Sequence, residues 1–268
     1  MNKILCSTGT MIGRPNGRDF TLLKTACKGL NCDGLEFLMY DTWYGKIDEI
    51  KAFMPSLEKK VYVFHLEKQI GELITQNRLK EALKKMEINC DLAKCLGAKL
   101  LVLHLYNGVI SDSNIEYNIE CYKYLEEIAT KYDLTLTVEN VVCNNKDPMT
   151  HLLSLIEKYP HIKLTFDTKM ADFHKQLNLL YDKNYAHVWE HIAHFHVNDY
   201  LGGYKDWTNL RVLHLGYGDI DFDLFFEYVK KMGYKGDFTT EATSFDKDGI
   251  IYPERLNETV NKIREYIK

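Results

Sequence analysis

Two hydrophobic periodicities alternate along the chain. Short apolar runs of four to six residues are each followed by a polar loop and, in most cases, by a longer stretch with apolar residues at helical spacing. The short runs predict eight β-strands, at residues 3–6, 34–38, 60–65, 99–104, 134–139, 162–167, 192–197 and 237–241.

The longer stretches predict amphipathic helices. The clearest lie at residues 71–96, 113–132, 147–158, 222–232 and 253–267. Gly97 follows the last turn of the first of these, where a glycine commonly ends a helix. Pro253 stands where the first turn of the last helix begins. Within residues 71–96, one helical stripe is apolar: Leu79, Leu83, Met86, Cys90 and Ala93.

Regular alternation of eight strands with helices predicts an α/β fold with a parallel sheet, closed as a (β/α)8 TIM barrel. The length of 268 residues suits one such barrel, so we predict a single domain over residues 1–268. An open doubly wound sheet is the alternative. A Gly-x-Gly-x-x-Gly motif after the first strand would favour that alternative, and the chain has none.

Composition narrows the class of protein. With 46% hydrophobic and 27% charged residues, the chain is globular. A net charge of −4 argues against nucleic acid as a partner, and the longest apolar runs are too short to predict a membrane span. The seven cysteines form no Cys-x-x-Cys pair, which predicts reduced thiols in the cytoplasm. The first residues become polar too soon for a signal peptide, which agrees with that location.

The ends of the strands carry the chemically informative pattern. Alternate side chains of a strand share a face, so Thr137 and Glu139 oppose Leu136 and Val138. Most of the other strands likewise end on a polar residue that opposes an apolar one. If the apolar faces meet the helices, the polar ends converge at the carboxyl-terminal mouth of the barrel. These residues are Glu36, His65, His104, Glu139, Asp167, His196 and Glu241.

Carboxylates crowded at one mouth repel each other, and a divalent cation relieves that repulsion. Taken singly, a Glu or His at the end of a strand is usually a solvated or hydrogen-bonded terminus. Seven such residues that agree in type, in face and in position along the strand favour a metal site instead.

These motifs resemble the xylose-isomerase-like barrel superfamily, which includes sugar and sugar-phosphate isomerases and epimerases and also endonuclease IV. The resemblance covers nearly the whole chain and specifies no substrate. Its motifs are Val63-Phe64-His65, Val102-Leu103-His104, Thr137-Val138-Glu139-Asn140, Phe166-Asp167-Thr168, His194-Phe195-His196-Val197-Asn198-Asp199, Gly216-Tyr217-Gly218-Asp219-Ile220-Asp221-Phe222 and Thr240-Glu241-Ala242.

The resemblance implies ligands for a divalent cation, with Mn, Zn, Co or Mg as candidates. The family's epimerases hold one metal with four residues that match Glu139, Asp167, His196 and Glu241. The family's nuclease adds two histidines, which match His65 and His104 and permit a second ion beside Glu139. These histidines also occur in members that are not nucleases, so they do not decide the activity.

The chain departs from the family pattern at two places. Met170 stands where many members have a histidine three residues after the strand-six aspartate, and His174 lies at the wrong offset to replace it. The Asp-x-His pair of the nuclease is not recognisable in residues 209–214. A nuclease-type site with three metals is therefore incomplete, although His214 could line a substrate pocket.

Two carboxylates beside a metal suit proton transfer next to a carbonyl group, through a metal-stabilised enediolate. We predict Glu139 and Glu241 as the acid/base pair, as the resemblance to sugar epimerases implies. A single cation in a loop is more often a solvated surface charge than a substrate contact. An aromatic residue in a loop more often packs in a core or lid than on a sugar. We predict that the substrate contacts Glu36, His194, Lys169, Arg211, His214 and Trp207.

The leading functional hypothesis is a metal-dependent isomerase or epimerase of a sugar, polyol or sugar phosphate. An abasic-site DNA endonuclease is the alternative, disfavoured by the net charge and by Met170. A third reading is a barrel that binds sugar or metal without turnover, which the complete ligand set argues against. A small carbohydrate is the expected partner, and the oligomeric state, a homo-oligomer included, is left open.

Overall fold

The computed structural model describes residues 2–268, so Met1, the first residue of the predicted domain, lies outside the described residues. Eight parallel strands pair in chain order, and the last pairs with the first to close a barrel. The predicted (β/α)8 barrel is confirmed, and each predicted strand end is within one residue of the observed one. The strands are β1 Ile4–Ser7, β2 Gly34–Leu38, β3 Val61–His65, β4 Leu100–Leu103, β5 Thr135–Glu139, β6 Lys163–Asp167, β7 Ile192–His196 and β8 Asp237–Thr240.

Helices connect the strands on the outside of the barrel. They are α1 Leu23–Ala26, α2 Ile47–Phe53, α3 Gln69–Thr75, α4 Leu79–Leu96, α5 Ile115–Lys131, α6 Pro148–Lys158, α7 Thr168–Phe173, α8 Phe222–Lys231 and α9 Pro253–Tyr266. Gly97 ends α4 with φ 86°, and Pro253 opens α9, as the sequence predicts. None of these helices in residues 2–268 has the length and apolar character needed to cross a membrane.

The prediction of one helix over residues 71–96 is wrong, because two helices, α3 and α4, occupy this range. Asn77 has φ 60°, a left-handed conformation that asparagine tolerates better than most residues. Its N–H donates to the carbonyl of Ile74, and the N–H of Arg78 donates to the carbonyl of Leu73. This pair of bonds is a Schellman motif, which ends α3 before the apolar stripe of α4 begins.

The connection between β6 and β7 carries little α-helix, which the strand–helix alternation did not predict. The short helix α7 is followed by two 3₁₀ segments, Leu177–Tyr181 and Lys183–Glu190. Since α7 begins directly after Asp167, the side chains of its first turn lie next to the end of β6.

The strand faces divide as the alternation predicts. Side chains such as Val138 and Phe166 pack outward into the main core with the helices. Inside the barrel, Leu5, Val63 and Val102 form a separate small apolar cluster. The residues two positions further along these three strands are polar, so the apolar cluster lies beneath a polar layer at the carboxyl-terminal mouth.

Candidate metal centre

Four strand-end side chains meet at the mouth of the barrel. Oxygen or nitrogen atoms of Glu139, Asp167, His196 and Glu241 all lie within 4.8 Å of one another. Nδ1 of His196 is 3.0 Å from Oε1 of Glu139 and 3.3 Å from Oε2 of Glu241. The first three side chains are buried, whereas that of Glu241 keeps 15% of its surface exposed. The ligand set predicted for one divalent cation is thus brought together.

A second group shares Glu139 with the first. Its Oε2 lies 2.7 Å from Nε2 of His104 and 3.4 Å from Nε2 of His65. Nδ1 of His65 lies 2.9 Å from the carbonyl of Leu66. Since a carbonyl only accepts, this contact makes Nδ1 the donor, and in the neutral ring Nε2 then offers its lone pair towards Glu139. The two oxygens of Glu139 therefore face two different groups of ligands.

The charges of the first group are unbalanced without a cation. Burial alone would raise the pKa of Glu139, but the charge of His196, together with the close contacts of the carboxylate to His196 and His104, holds it well below its usual value. For Glu241, His196 likewise outweighs burial and lowers the pKa to about 2. Asp167 has the opposite shift: burial, together with Glu139 and Glu241, raises its pKa to about 6 against the opposing charge of Lys169. Three carboxylates of the group thus face one imidazolium within the group, with Lys169 as a neighbouring cation.

The residues present fit a bound divalent metal. Among the described residues, Oε2 of Glu139 and Nε2 of His65 are buried and have no hydrogen-bond partner. Burial keeps the pKa of His104 at about 4, so this ring is neutral at physiological pH and free to act as a ligand. Carboxylate oxygens and neutral imidazole nitrogens are suitable ligands for Zn²⁺, Mn²⁺ and Co²⁺.

Two asparagines that the sequence analysis quoted only as parts of motifs orient the acidic ligands. Nδ2 of Asn198 donates to Asp167 at 2.8 Å and to Glu241 at 3.2 Å, while its Oδ1 accepts the backbone N–H of Glu241. Asn140 makes a reciprocal pair of bonds with the backbone of Asp167. Their positions in the sequence pointed to this role, because Asn140 directly follows the predicted ligand Glu139 and Asn198 lies two residues after His196.

Two predicted substrate contacts, Glu36 and His194, lie within the barrel lumen rather than at an open surface. They are 0% and 1% exposed, respectively. Glu36 contacts the rings of His194 and His196, and Nε2 of His194 is also 2.8 Å from Oγ1 of Thr239. Their contacts are therefore with a ligand residue, with each other and with Thr239 of β8.

The four loop residues predicted to contact the substrate differ in burial and in their partners. Lys169, in the first turn of α7, is buried, and among residues 2–268 its ammonium group has no hydrogen-bond or ion-pair partner. Arg211 is exposed. His214 is hydrogen-bonded to Thr259 of α9 and to the carbonyl of Thr243 in the loop after β8. Trp207 is half exposed and packs edge-on against Phe173.

A cavity of about 500 Å³ opens beside the ligands, at the carboxyl ends of β2, β3 and β4. Its lining includes Tyr40, Lys68 and Asn107. Asn107 is 3.3 Å from Nδ1 of His104, and the charge of Lys68 helps to lower the pKa of that histidine, after burial itself. The cavity therefore adjoins the second ligand group, and its lining includes Lys68, one of the loop cations that the sequence offers for holding a substrate phosphate.

The residues at the two places where the chain departs from the family pattern, Met170 and residues 209–214, do not form the third metal site of the nuclease. Nε2 of His174 accepts the backbone N–H of Cys143, so this ring does not replace the histidine missing at Met170. Asp112, Cys143 and His151 also lie close together. However, Asp112 already accepts three backbone N–H groups and the ring of His151. This group therefore fixes a loop.

Comparisons with known proteins agree with this architecture. A family model described as xylose isomerase-like TIM barrel matches residues 25–266. No curated protein matches the chain in sequence. Among solved structures, 3-keto-D-glucoside 4-epimerase from E. coli superposes with a TM-score of 0.68 at 17% identity, over 99% of this chain and 100% of that one.

Two further structures are similar. D-allulose 3-epimerase from Methylomonas sp., in complex with D-allulose, has a TM-score of 0.69 at 14% identity, over 99% of this chain and 96% of that one. An IolI protein with a bound zinc atom has a TM-score of 0.71 at 14% identity, over 99% and 98% of the two chains. At such low identity these structures establish the fold. Together with the family match, they show that the chain belongs to the xylose isomerase-like TIM barrel family.

Proposed function

We propose that the protein is a metal-dependent isomerase or epimerase that acts on a sugar, a polyol or a sugar phosphate. The observation that carries this proposal is the convergence of Glu139 and Glu241 on Nδ1 of His196, with Asp167 in the same group. Two carboxylates that bind the same ion are suited to remove a proton from the carbon next to a carbonyl group and to return one.

A bound divalent cation supplies stabilisation of the negative charge that develops on the substrate oxygens when the neighbouring carbon loses its proton. Glu241 is the better placed of the two carboxylates to remove that proton, because 15% of its side-chain surface is open. Its pKa of about 2 keeps it in the basic form at neutral pH. Glu139 would give a proton to the opposite face or to the adjacent carbon, and for the transfer to balance it must first take up that proton from solvent, because its lowered pKa leaves it ionised in the metal-free protein.

Lys169 is our candidate for a direct bond to a substrate oxygen. The residue is 4% exposed, its charge acts on Asp167, and its ammonium group has no partner among the described residues, so this group is available to bind an oxygen of the substrate. We reassign Glu36 and His194 from substrate contacts to support of the ligands, because both are fully buried and contact His196 or each other. For Arg211, His214 and Trp207, contact with the substrate stays a prediction.

A second ion is part of the proposal. His65, His104 and Oε2 of Glu139 form a compact group whose two imidazoles point nitrogen atoms at one carboxylate oxygen. A metal there would share Glu139 with the first ion and would lie on the side of the cavity lined by Lys68 and Asn107.

The names of the similar structures support a carbohydrate substrate, since they include epimerases of 3-keto-D-glucoside and of D-allulose. The test is proton exchange in D2O with metal-loaded protein, using a panel of ketoses, keto-glucosides and their phosphates. We expect the C–H signal next to the carbonyl of at least one compound to disappear in NMR, and EDTA to stop the exchange. Cleavage of abasic-site DNA without any sugar exchange would favour the nuclease alternative.

A further inference from the structure

Glu36 makes a contact that crosses the barrel lumen. It lies in β2, whereas His196 lies in β7, and these strands are not neighbours in the sheet. Its Oε2 is 3.0 Å from Nε2 of His196 and 3.3 Å from Nε2 of His194. The side chain is 0% exposed, and its other oxygen, Oε1, has no hydrogen-bond partner among the described residues.

The ring of His196 separates this carboxylate from the candidate metal ligands. On the other side of the ring, Nδ1 faces Oε1 of Glu139 at 3.0 Å and Oε2 of Glu241 at 3.3 Å. Only Nδ1 therefore points towards the group that would hold the ion, and Nε2 points away from it.

A neutral imidazole that binds a metal through one nitrogen carries its hydrogen on the other, and an acceptor at that hydrogen fixes both the tautomer and the ring orientation. We propose that Glu36 is a positioning residue that accepts the Nε2 hydrogen of His196 and thereby presents the Nδ1 lone pair to the metal. This inference rests on the proposed metal site and extends it to a residue that touches neither metal nor substrate.

The surroundings of Glu36 hold the carboxylate in place for this role. His194 lies one layer deeper on the same face of β7, and its Nε2 is also 2.8 Å from Oγ1 of Thr239 in β8. A chain of contacts thus leads from Thr239 through His194 and Glu36 to His196. Without an acceptor at Nε2, the ring would lose its preference for the tautomer that leaves Nδ1 free.

The same three residues suggest one competing arrangement. Glu36, His194 and His196 are close enough together to hold an ion of their own. In that case Nε2 of His196 would bind the metal and would carry no hydrogen. The protonation of this single nitrogen in the metal-loaded protein therefore separates the two arrangements.

The first experiment reads the tautomer directly. Protein labelled with ¹⁵N-histidine and loaded with Zn²⁺ is examined by long-range ¹H–¹⁵N NMR, with His196→Gln used to assign the resonance. We expect a hydrogen on Nε2 of His196 and the metal on Nδ1. A metal-bound Nε2 overturns the inference while leaving the proposed metal site intact, and failure of the wild-type protein to bind Zn²⁺ overturns the proposed function itself.

The second experiment measures Co²⁺ affinity by the visible spectrum of the bound ion. Glu36→Leu removes the acceptor at similar size and should weaken binding by about 10- to 100-fold. Glu36→Gln keeps an amide oxygen that can accept from Nε2 and should recover part of that loss. Glu67→Gln is the matched control, because Glu67 is a buried glutamate after β3 whose partners are Lys85, the hydroxyl of Tyr44 and a backbone N–H.

Affinity of Glu36→Leu equal to that of the wild type would overturn the proposal, as would an equal loss in Glu67→Gln. If Glu36→Leu does not fold, as judged by its circular dichroism, the Glu36→Gln titration and the wild-type tautomer still decide the question.

Discussion

Oε2 of Glu139 and Nε2 of His104 are 2.7 Å apart, yet they lack the alignment of a hydrogen bond, and the oxygen has no other partner among the described residues. A buried carboxylate oxygen and a buried imidazole nitrogen at this distance fit two ligands of one divalent ion. Unpaired buried oxygens otherwise cost free energy, on the order of 1–3 kcal/mol each.

The first prediction concerns the second ion. The double substitution His65→Ala, His104→Ala should remove one bound ion and spare the other, because the remaining ion keeps Glu139, Asp167, His196 and Glu241 as ligands. Metal analysis after saturation and dialysis checks this, with the surface substitution His161→Ala as the control. Equal metal content in the double mutant and the wild type would mean that these histidines hold no ion.

The second prediction concerns the acid/base pair. Glu139→Gln and Glu241→Gln should each reduce exchange of the substrate proton by at least about 10²-fold, because the amide keeps the shape but cannot accept a proton. The rate is measured by NMR in D2O, alongside metal content and thermal unfolding. Glu81→Gln on the surface of α4 serves as the control. Near-normal exchange in either variant, with metal bound, would remove that residue from the catalytic role.

The third prediction is a pH dependence of metal binding. Burial lowers the pKa of His196, but the charges of Glu241, Glu36 and Glu139 outweigh it and raise the pKa well above its usual value. The metal-free ring is therefore protonated at neutral pH, and a metal must displace one proton from it. Asp167 has a pKa of about 6, so below that pH it is protonated as well, and a metal must then displace a second proton.

Apparent Zn²⁺ affinity should accordingly rise by roughly tenfold per pH unit near neutrality and fall more steeply below about pH 6. Calorimetric titration in buffers with different ionisation enthalpies reports the released proton directly. Affinity that does not change between pH 5 and pH 8 would contradict this assignment of His196.

The fourth prediction concerns the loop after β5. Asp112 is 3% exposed and accepts the backbone N–H groups of Asn144, Asn145 and Lys146 as well as the ring of His151. Asp112→Ala leaves these donors unsatisfied and should lower the free energy of unfolding by about 3 kcal/mol or more. Urea denaturation measures the loss, and Asp182→Ala, at an exposed aspartate that accepts one N–H, should cost much less.

Strand periodicity was enough to predict the barrel and the face on which the polar residues lie. Glu139, Asp167 and Glu241 each end or follow a strand, and alternation assigns them to the lumen without knowledge of the fold. Alternation does not give height along the barrel axis, because height depends on the stagger between neighbouring strands. For this reason Glu36 and His194 were expected at the substrate and instead lie buried against His196.

Loop residues were harder to predict for a different reason. Arg211, His214 and Trp207 lie in the long connection after β7, where spacing does not determine direction. His214, for example, is held by Thr259 of α9, about 45 residues further along the chain. Asn198 follows the predicted ligand His196 by two residues, so its position in the sequence was a clue. Its role in orienting the carboxylates of Asp167 and Glu241 becomes evident only from the hydrogen bonds in the structure.

The most direct test of the central claim is anomalous diffraction from a crystal of the protein loaded with Co²⁺. We expect an anomalous peak bonded to Glu139, Asp167, His196 and Glu241, with His196 contributing Nδ1. A peak bonded to other residues, or no peak in crystals of protein saturated with the metal, would contradict it.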